Sequence, residues 1–419
     1  MMDIQSLEKP HDVDLTNDPR DRGEDMIVDL DRIRREDPVH WSEASRCWFL
    51  TRHDDVVDAF QRKLPLTNDG RMFPVFHLIP PEEWDERIPT LVKYSELWIT
   101  SSEGERHARL RSLMMKALNR KIVEAFRPHA RQRAEFLVDV MCEEGEIEFN
   151  EQISRAMTGD VLFKLLGMPD DHLDHLRDWA TWLMEGVGAA VPTPARLEKA
   201  NLALEKMNEV VAVELDKRRT NPAEDFLTGL LHASEGEDRL SYDEILAQMH
   251  VAIVAGHDTT MNTLTLSVNA LARNRDAWQY VQQNQDKMLD IVTELQRHVA
   301  MVGGQPRLVA EDFEIGGKQI KKGEMVAVLI AAANRDESVF NNPGELDFSR
   351  DNRKSMTFAP GVHFCLGHFL AKMQLTEFLG AMARKIETIE VLDEDLDFLP
   401  VWVFRGVYKM NVRVTPRAA

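Results

Sequence analysis

Apolar residues recur at helical spacing along most of the chain, and they predict a mainly α-helical protein. From residue 102 to residue 219 one amphipathic segment follows another, with apolar positions at i, i+3 and i+4. Pro192 and Pro194 fix the break between the last two helices, which fall within residues 171–219. We expect this pair to form a movable lid in which Trp182 faces a ligand, although aromatic stripes at helical spacing are also typical of a core.

The longest apolar run lies within residues 241–273 and predicts a buried central helix. Ser241 and Glu244 form a capping box at its start. Apolar residues occupy all sides of the run, and a helix that is apolar all round is buried. Residues 255–259, AGHDT, interrupt it with a glycine, an acid and an alcohol, which are poorly placed for core packing. This interruption can loosen the helix and leave room for a small ligand beside polar groups.

Residues 64–100 show no sustained period and contain five prolines, at positions 65, 74, 80, 81 and 89. A long irregular segment in a compact protein is usually functional or disordered. Its apolar content is too high for a disordered linker, so we expect a loop that covers an apolar pocket. A loop that merely packs on the core is the alternative. The predicted pocket residues, from this segment and elsewhere, are Met72, Phe73, Phe76, Trp98, Trp182, Ile253, Val302 and Trp402.

Short strands are predicted at residues 39–41, 47–51, 313–315, 318–320 and 325–330. Residues 1–20 form a polar tail, and no linker divides residues 21–415, so we expect one domain there. The net charge of −20 argues against a nucleic-acid partner. Three scattered cysteines indicate a reducing compartment, and the charged first thirty residues lack the apolar core of a signal peptide or membrane anchor. We therefore expect a cytoplasmic protein that is not bound to a membrane.

Cys365 lies between two glycines, just ahead of a predicted helix. Backbone N–H groups and the helix dipole stabilise a thiolate at such a place, and a thiolate is a nucleophile and a metal ligand. A small buried hydrophobe is the alternative. The sequence of residues 358–367, FAPGVHFCLG, resembles the haem-binding loop of the cytochrome P450 family, in which the cysteine thiolate is the proximal iron ligand. The resemblance implies that haem b contacts Phe358, Gly361, His363, Cys365 and Gly367. Ala359 stands where the family usually has glycine.

The interruption of the central helix resembles the oxygen-binding segment of the same family. The resemblance implies that Ala255 and Gly256 lie against the haem, that Thr259 hydrogen-bonds dioxygen, and that Asp258 relays protons from solvent. The chemistry needs both polar groups, because reduction of dioxygen consumes protons that must arrive at one place. The alternative is a threonine bonded to the carbonyl one turn earlier and an aspartate paired with a basic residue.

Glu294 and Arg297 are three residues apart on a predicted helix, a spacing that usually forms a solvated surface pair. They resemble the family's Glu-x-x-Arg motif, which implies a buried ion network with Arg350 that holds the loop of Cys365 in register. Haem propionates also need cations around them. By resemblance these are His107, Arg111, Arg307 and His363, and for each of them alone a surface charge is the alternative.

The resemblance implies a soluble, bacterial-type cytochrome P450 fold, mainly α with small β-sheets, with haem between the central helix and the cysteine loop. It also implies a monomeric monooxygenase of a hydrophobic small molecule, which receives electrons from NAD(P)H through a reductase and a 2Fe-2S ferredoxin. The predicted ferredoxin-docking residues are Arg106, Arg109, Arg353, Lys354 and Lys372. A peroxygenase that uses hydrogen peroxide should lack the acid–alcohol pair, and a haem-binding sensor without turnover would not need it. The substrate is left open.

Overall fold

Helices dominate the computed structural model, which describes residues 23–188, 193–235, 238–399 and 403–418. None of these helices is both long enough and apolar enough to cross a membrane. The α-helices are α1 Gly23–Glu36, α2 His53–Phe60, α3 Phe73–Phe76, α4 Trp84–Arg87, α5 Pro89–Ser95, α6 Gly104–Ala117, α7 Arg120–Ala125, α8 Arg127–Glu144, α9 Arg155–Leu166, α10 Leu173–Val187, α11 Pro194–Thr220, α12 Phe226–His232, α13 Tyr242–Ala272, α14 Arg275–Gln283, α15 Met288–Val299, α16 Ile330–Ala333 and α17 His368–Lys385.

Short strands form small sheets beside the helices. They are β1 Val39–Ser42, β2 Cys47–Leu50, β3 Leu66–Thr67, β4 Glu146–Glu148, β5 Ser234–Glu235, β6 Asp238–Arg239, β7 Gln305–Val309, β8 Phe313–Ile315, β9 Lys318–Ile320, β10 Met325–Val328, β11 Ile386–Val391 and β12 Asn411–Pro416. The largest sheet has the order β1-β2-β10-β7-β3, and only β2 and β10 in it are parallel. A second sheet has the order β11-β12-β4. The mainly α fold with small sheets agrees with the sequence prediction.

The central helix α13 runs unbroken through the polar interruption at residues 255–259. Its capping box is present: the Glu244 N–H donates to the Ser241 hydroxyl at 3.2 Å, and the Ser241 N–H donates to the Glu244 carboxylate at 2.8 Å. The helix packs against α9, α10, α11, α15 and α17. Because neighbours cover most of its faces, apolar residues are needed all round it, as the sequence indicated.

The covering segment, residues 64–100, is more regular than predicted, since it holds the short helices α3, α4 and α5. Phe76, Ile88 and Leu91 are fully buried, so much of the segment packs on the core. The Leu91 N–H donates to the Asn201 side chain of α11 at 2.9 Å, and the Tyr94 hydroxyl donates to Asp243 of α13 at 2.9 Å. The segment is therefore fastened both to α11 and to the central helix α13.

Two helical stretches are divided in the structure. Helices α7 and α8 meet at Phe126, and Pro128 lies in the first turn of α8, where a missing N–H costs nothing. A π-helical turn, Asn150–Ser154, precedes α9. In that turn the Thr265 hydroxyl of α13 lies 2.8 Å from both the Asn150 and Ser154 side-chain oxygens. Tertiary polar contacts, which periodicity does not record, accompany this change of helix type.

Candidate functional site

Cys365 ends a tight loop at the N-terminus of α17. Its N–H donates to the Phe358 carbonyl at 3.0 Å, which closes the loop. Its sulfur accepts hydrogen bonds from the backbone N–H groups of Gly367 and His368. Burial raises the pKa of the thiol, while these donors and the Arg111 charge act to lower it. The sulfur is thus held by donors that stabilise a thiolate, which is the ionisation state that ligates metals.

The two glycines of this loop, Gly361 and Gly367, differ in their surroundings. Gly361 has φ of +92°, and a Cβ there would overlap the carbonyl oxygen of Phe60, so only glycine fits. At Gly367 a Cβ would meet nothing within 4 Å. Gly367 therefore borders open space beside the sulfur. Ala359 has φ of +50°, in the left-handed region that favours glycine.

Replacing Ala359 with glycine is expected to stabilise the protein by about 1 kcal/mol, because it removes the Cβ strain of a left-handed residue. Thermal unfolding of the variant and the wild type measures the difference. The matched control is Ala212→Gly, in the middle of α11, which should lose about 1 kcal/mol through lower helix propensity. Destabilisation by both substitutions would show that the loop is not strained at Ala359.

One face of the central helix is open around the polar interruption. Ala252, Ala255 and Thr259 are partly or fully exposed although the helix around them is buried, and they lie at i, i+3 and i+7. Ile253 is fully buried in the core. Its helical phase turns it away from the open face, and its place in the pocket stays a prediction. Ala252 was missed, since a small apolar residue in an apolar run carries no signal of its own.

The side chains of Thr259 and Asp258 differ in their hydrogen bonding. The Thr259 hydroxyl donates to the Ala255 carbonyl at 2.5 Å, which is the bond one turn back that the sequence left open. Asp258 Oδ1 is buried and has no hydrogen-bond partner among the described residues. Burial raises the pKa of Asp258 to about 7, and the charge of Arg155 opposes the shift only in part. A carboxyl that titrates near neutrality can both give and take protons at physiological pH.

Asp258→Asn is expected to change stability and activity in opposite directions. An unfolded aspartate ionises near pH 3.9, so between about pH 4 and about pH 7 the unfolded chain loses a proton that the native carboxyl retains. The wild type should lose stability as pH rises through this window, and Asp258→Asn should not. Its monooxygenase turnover should fall about a hundredfold, since general acid–base groups typically contribute that much.

Denaturant unfolding of the holoprotein at several pH values measures the stability trend. The exposed Asp276 on α14 supplies the control, Asp276→Asn, which should follow the wild-type trend with pH. Equal pH trends in wild type and Asp258→Asn would contradict a raised pKa at this carboxyl.

Gly256 and His257 face α9 rather than the open face. A Cβ at Gly256 would lie 2.8 Å from Leu162 Cδ1, so the glycine lets α9 approach closely. His257 is buried with its Nδ1 3.3 Å from the Thr158 hydroxyl. Close packing of α13 against α9 therefore explains the glycine at position 256. The haem contact of Gly256 stays a prediction.

Two of the predicted propionate-binding residues, His107 and His363, lie together, with ring centroids 4.1 Å apart. Burial and the neighbouring positive charges lower the pKa of His107 to about 4, and its Nε2 is buried with no partner in the described chain. Arg307 is 7% exposed, and its guanidinium donates to the Pro306 carbonyl at 2.8 Å. Burial lowers the pKa of Arg307 to about 9. Arg111 is half-buried on α6, near enough to Cys365 for their charges to interact.

Glu103 is the acid at the centre of this cluster, and the sequence reading missed it. Its carboxylate accepts the Asn68 N–H at 3.0 Å and the Asn68 side-chain amide at 2.8 Å, and it pairs with Arg62. His363 Nε2 lies 3.5 Å away. Although burial opposes it, hydrogen bonds from His363 and Asn68 lower the pKa of Glu103 to about 2. One carboxylate thus joins the covering segment, α6 and the cysteine loop.

The donor set fits a haem. A haem needs one axial ligand, a flat space beside it and cations at its carboxylates. Cys365 supplies a sulfur among N–H donors, Ala255 lies on the open helix face, and Arg307 and His107 are buried groups that lack a carboxylate partner in the part of the chain described. Burying unpaired guanidinium groups is costly unless a ligand compensates them.

Glu294, Arg297 and Arg350 form a buried ion network. Arg297 donates two hydrogen bonds to the Glu294 carboxylate, at 2.8 and 2.7 Å, and both side chains have 0% exposure. Arg350 Nε donates to the same carboxylate at 3.1 Å. Arg297 also donates to the carbonyls of Asn334 and Pro343 at 2.9 Å each. The structure brings together the three residues that the resemblance grouped, and backbone acceptors complete the set.

Asn334 links this network to the cysteine loop. Its carbonyl accepts from Arg297, and its side-chain oxygen accepts the Met356 N–H at 2.7 Å. Met356 lies two residues before Phe358, where the loop of Cys365 begins. The network therefore reaches the loop through one amide side chain.

The predicted pocket residues lie in different surroundings. Met72, Phe73 and Phe76 line a cavity of about 350 Å³ whose remaining walls are mainly polar, including Asn68, Arg71, Ser101, Glu103 and Arg106. Trp98 is buried, with its indole N–H unpaired among the described residues. Trp182 contacts the Lys199 ammonium, 4.6 Å from its ring, and Val302 pairs with Phe404 across an isolated β-bridge. The prediction for Trp402 lies outside the described residues.

Comparison with known proteins agrees with these features. The family model described as Cytochrome P450 matches residues 192–395. Cytochrome P450 107B1 of Saccharopolyspora erythraea is 29% identical over 90% of this chain and 93% of its own length. Vitamin D(3) 25-hydroxylase of Pseudonocardia autotrophica is 29% identical over 92% and 93%. The solved structure of PksS, a polyketide synthase cytochrome P450 of Bacillus subtilis, has a TM-score of 0.85 at 25% identity and covers 96% of this chain and 99% of its own.

The helical fold, the cysteine loop and the acid–alcohol helix together define a haem-thiolate enzyme of the bacterial type. The family model, the relatives and the solved structures support a bacterial-type cytochrome P450 for this chain. It is a monooxygenase of small molecules that uses haem, dioxygen and electrons from redox partners.

Proposed function

We propose that the Cys365 thiolate is the proximal ligand of haem b and that Arg307, His107, Arg111 and His363 hold its propionates. The proposal is supported by the N–H donors at the Cys365 sulfur and by the buried Arg307 and His107, which lack a carboxylate partner among the described residues. When bound, the haem supplies the iron at which dioxygen is reduced and from which one oxygen atom passes to a substrate C–H bond. Phe358 and Gly361 then shape the loop around the sulfur.

Asp258 and Thr259 form the proton-delivering pair in this proposal. Thr259 is anchored by its bond to the Ala255 carbonyl, so its hydroxyl oxygen keeps a fixed place on the open helix face. Asp258 is the nearest buried carboxyl along the helix, and its unpaired Oδ1 can take a proton from solvent and release it toward Thr259. Arg155 pairs with Glu151 and Asp178 at 2.7 Å each, and its charge also acts on Asp258.

The substrate in this proposal is a hydrophobic molecule of moderate size. The open helix face consists of Ala252, Ala255 and Thr259, which offer shape and little polarity. The relatives include proteins named vitamin D(3) 25-hydroxylase and steroid C26-monooxygenase, the latter 27% identical over 87% of this chain. We therefore place multi-ring terpenoids and steroids first among the candidates. A binding screen that follows the Soret shift on displacement of iron-bound water tests this order, with fatty acids as the competing class.

A 2Fe-2S ferredoxin and its NAD(P)H-dependent reductase are the proposed electron donors. The predicted docking cations need revision, because Arg109 is bound by Asp238 and Glu244, and Arg353 by Asp351. The exposed Val362, Phe364 and Phe369 beside Cys365, with Arg120 5.8 Å from the Phe369 ring, form a better docking face.

Three free cysteines in the described chain accord with a cytoplasmic location. A monomer, and one domain over residues 21–415, stay predictions.

The observation that carries the proposal is the hydrogen-bonded sulfur of Cys365 at the N-terminus of α17. The test is to reduce the purified protein under carbon monoxide and record its spectrum, where thiolate ligation gives the red-shifted band. Turnover of a bound steroid with ferredoxin, reductase and NADPH should follow. The red-shifted band together with turnover on hydrogen peroxide alone would favour the peroxygenase. The red-shifted band with no turnover, either on hydrogen peroxide or with ferredoxin, reductase and NADPH, would favour the sensor.

A further inference from the structure

The half-buried Arg71 and the buried Arg307 lie near enough for their charges to repel each other. Arg71, in the covering segment, has a buried Nε with no hydrogen-bond partner in the described chain. Burial lowers the pKa of Arg71 to about 10, and repulsion from Arg71 adds to the effect of burial on Arg307. Two such cations held together are strongly unfavourable unless an anion lies between them.

The described residues do not supply that anion. Among them, Glu103 is the acid whose charge attracts Arg71. Its carboxylate is already engaged by Asn68 and Arg62, and it forms no ion pair with Arg71. The charge of Arg71 therefore has no anionic partner in the part of the chain that the structure describes, and an anion from outside the chain can compensate it.

The surrounding polar atoms indicate the chemistry of this partner. Arg71 and Ser101 line the same cavity of about 350 Å³ and each has a buried donor atom without a partner among the described residues. The Trp98 indole N–H and His107 Nε2, from neighbouring parts of the same region, are also buried and unpaired. Guanidinium, hydroxyl and indole groups all donate hydrogen bonds, and a carboxylate is the anion that accepts from such a set.

We propose that Arg71 binds a haem propionate together with Arg307, and so attaches the covering segment to the cofactor. This rests on the proposed haem site at Cys365. Arg71 is held in place by a turn, in which its N–H donates to the Asn68 carbonyl at 3.3 Å, and Gly70 at φ of +73° packs under the Phe73 ring. Arg71 is absent from the set that the sequence implied, because a single arginine in an irregular segment resembles a surface charge.

The experiment measures how fast the holoprotein loses haem to excess apomyoglobin, in the wild type and in Arg71→Gln, Arg71→Lys and Arg106→Gln. Loss of a charge-assisted hydrogen bond should speed haem release by about tenfold or more in Arg71→Gln. Arg71→Lys keeps the positive charge but lacks the planar guanidinium group, so its rate of haem release should lie between those of the wild type and Arg71→Gln. Arg106 lines the same cavity and donates to the Glu96 carbonyl, so Arg106→Gln should release haem at the wild-type rate.

A second readout separates a propionate from a carboxylate on the substrate. Each variant is titrated with a fatty acid and with its methyl ester, and the Soret shift gives both affinities. Unchanged haem release in Arg71→Gln overturns the proposal, and weaker binding of the acid but not of the ester would then assign Arg71 to the substrate. Faster haem release with unchanged acid and ester affinities supports the propionate. A wild-type protein that takes up no haem would overturn the proposed function as well.

Discussion

Replacing Cys365 with serine is expected to abolish the red-shifted carbon monoxide band and to lower monooxygenase turnover by about a thousandfold or more, a loss of roughly 4 kcal/mol in transition-state stabilisation. The reason is electronic, because thiolate ligation gives electron density to the iron and favours O–O cleavage. A serine hydroxyl does not ionise at physiological pH, so it cannot replace the thiolate.

The structure predicts that this variant still folds. The serine oxygen can accept hydrogen bonds from the N–H groups of Gly367 and His368, as the sulfur does in the wild type. The backbone N–H of residue 365 keeps its hydrogen bond to the Phe358 carbonyl. Thermal unfolding of the apoprotein should therefore change by only a few degrees, while the spectrum changes completely.

Cys142→Ser is the matched control. Cys142 is a half-buried thiol on α8, outside the loop, so this variant should retain both the red-shifted band and activity. If Cys365→Ser kept the red-shifted band, Cys365 would not be the ligand, and the same spectrum recorded for Cys142→Ser and Cys47→Ser would identify the thiol responsible.

Arg297→Ala is expected to destabilise the protein by about 3–5 kcal/mol, the usual cost of stripping one partner from a buried ion pair. The variant leaves the Glu294 carboxylate buried, with only Arg350 and the Asp347 N–H to stabilise it. It also removes both hydrogen bonds that hold the carbonyls of Asn334 and Pro343. Urea unfolding of the holoprotein measures the loss.

An exposed pair with the same i, i+3 spacing provides the control. Arg219 and Asp216 lie 3.2 Å apart on α11, with side chains 53% and 69% exposed. Because water and salt screen such a pair, Arg219→Ala should cost no more than about 0.5 kcal/mol. Equal losses in the two variants would mean that the Glu294–Arg297 pair is worth no more than a surface bridge.

A double variant separates the lost pair from the stranded charge. Glu294→Leu with Arg297→Met removes both ions and fills similar volume, so it should recover part of the stability that Arg297→Ala loses. Haem content reports the link to the cysteine loop, because Asn334 joins the network to Met356. We expect haem occupancy to fall in Arg297→Ala and to stay normal in Arg219→Ala.

The sequence was most informative where one local pattern decides the result. The capping box at Ser241 and the apolar run after it defined the central helix almost to the residue, since helix start and burial are both encoded locally. The ten residues from Phe358 to Gly367 were sufficient to locate the loop, because its turns depend on glycines at fixed positions, as Gly361 shows. The strands at residues 305–309 and 411–416 were missed, since β7 and β12 are short and their pairing partners are distant in sequence.

Within the site, the sequence alone determined which residue types are present: a cysteine in a glycine loop, an acid beside an alcohol, and an acid three residues before an arginine. Only the tertiary structure decided which of them are buried and paired. It turned Ile253 into the core and Ala252 onto the open face, and it left Arg71 beside Arg307 without a carboxylate. The physical reason is that burial and pairing depend on contacts between segments far apart in the chain, whereas helix starts and turns depend on near neighbours.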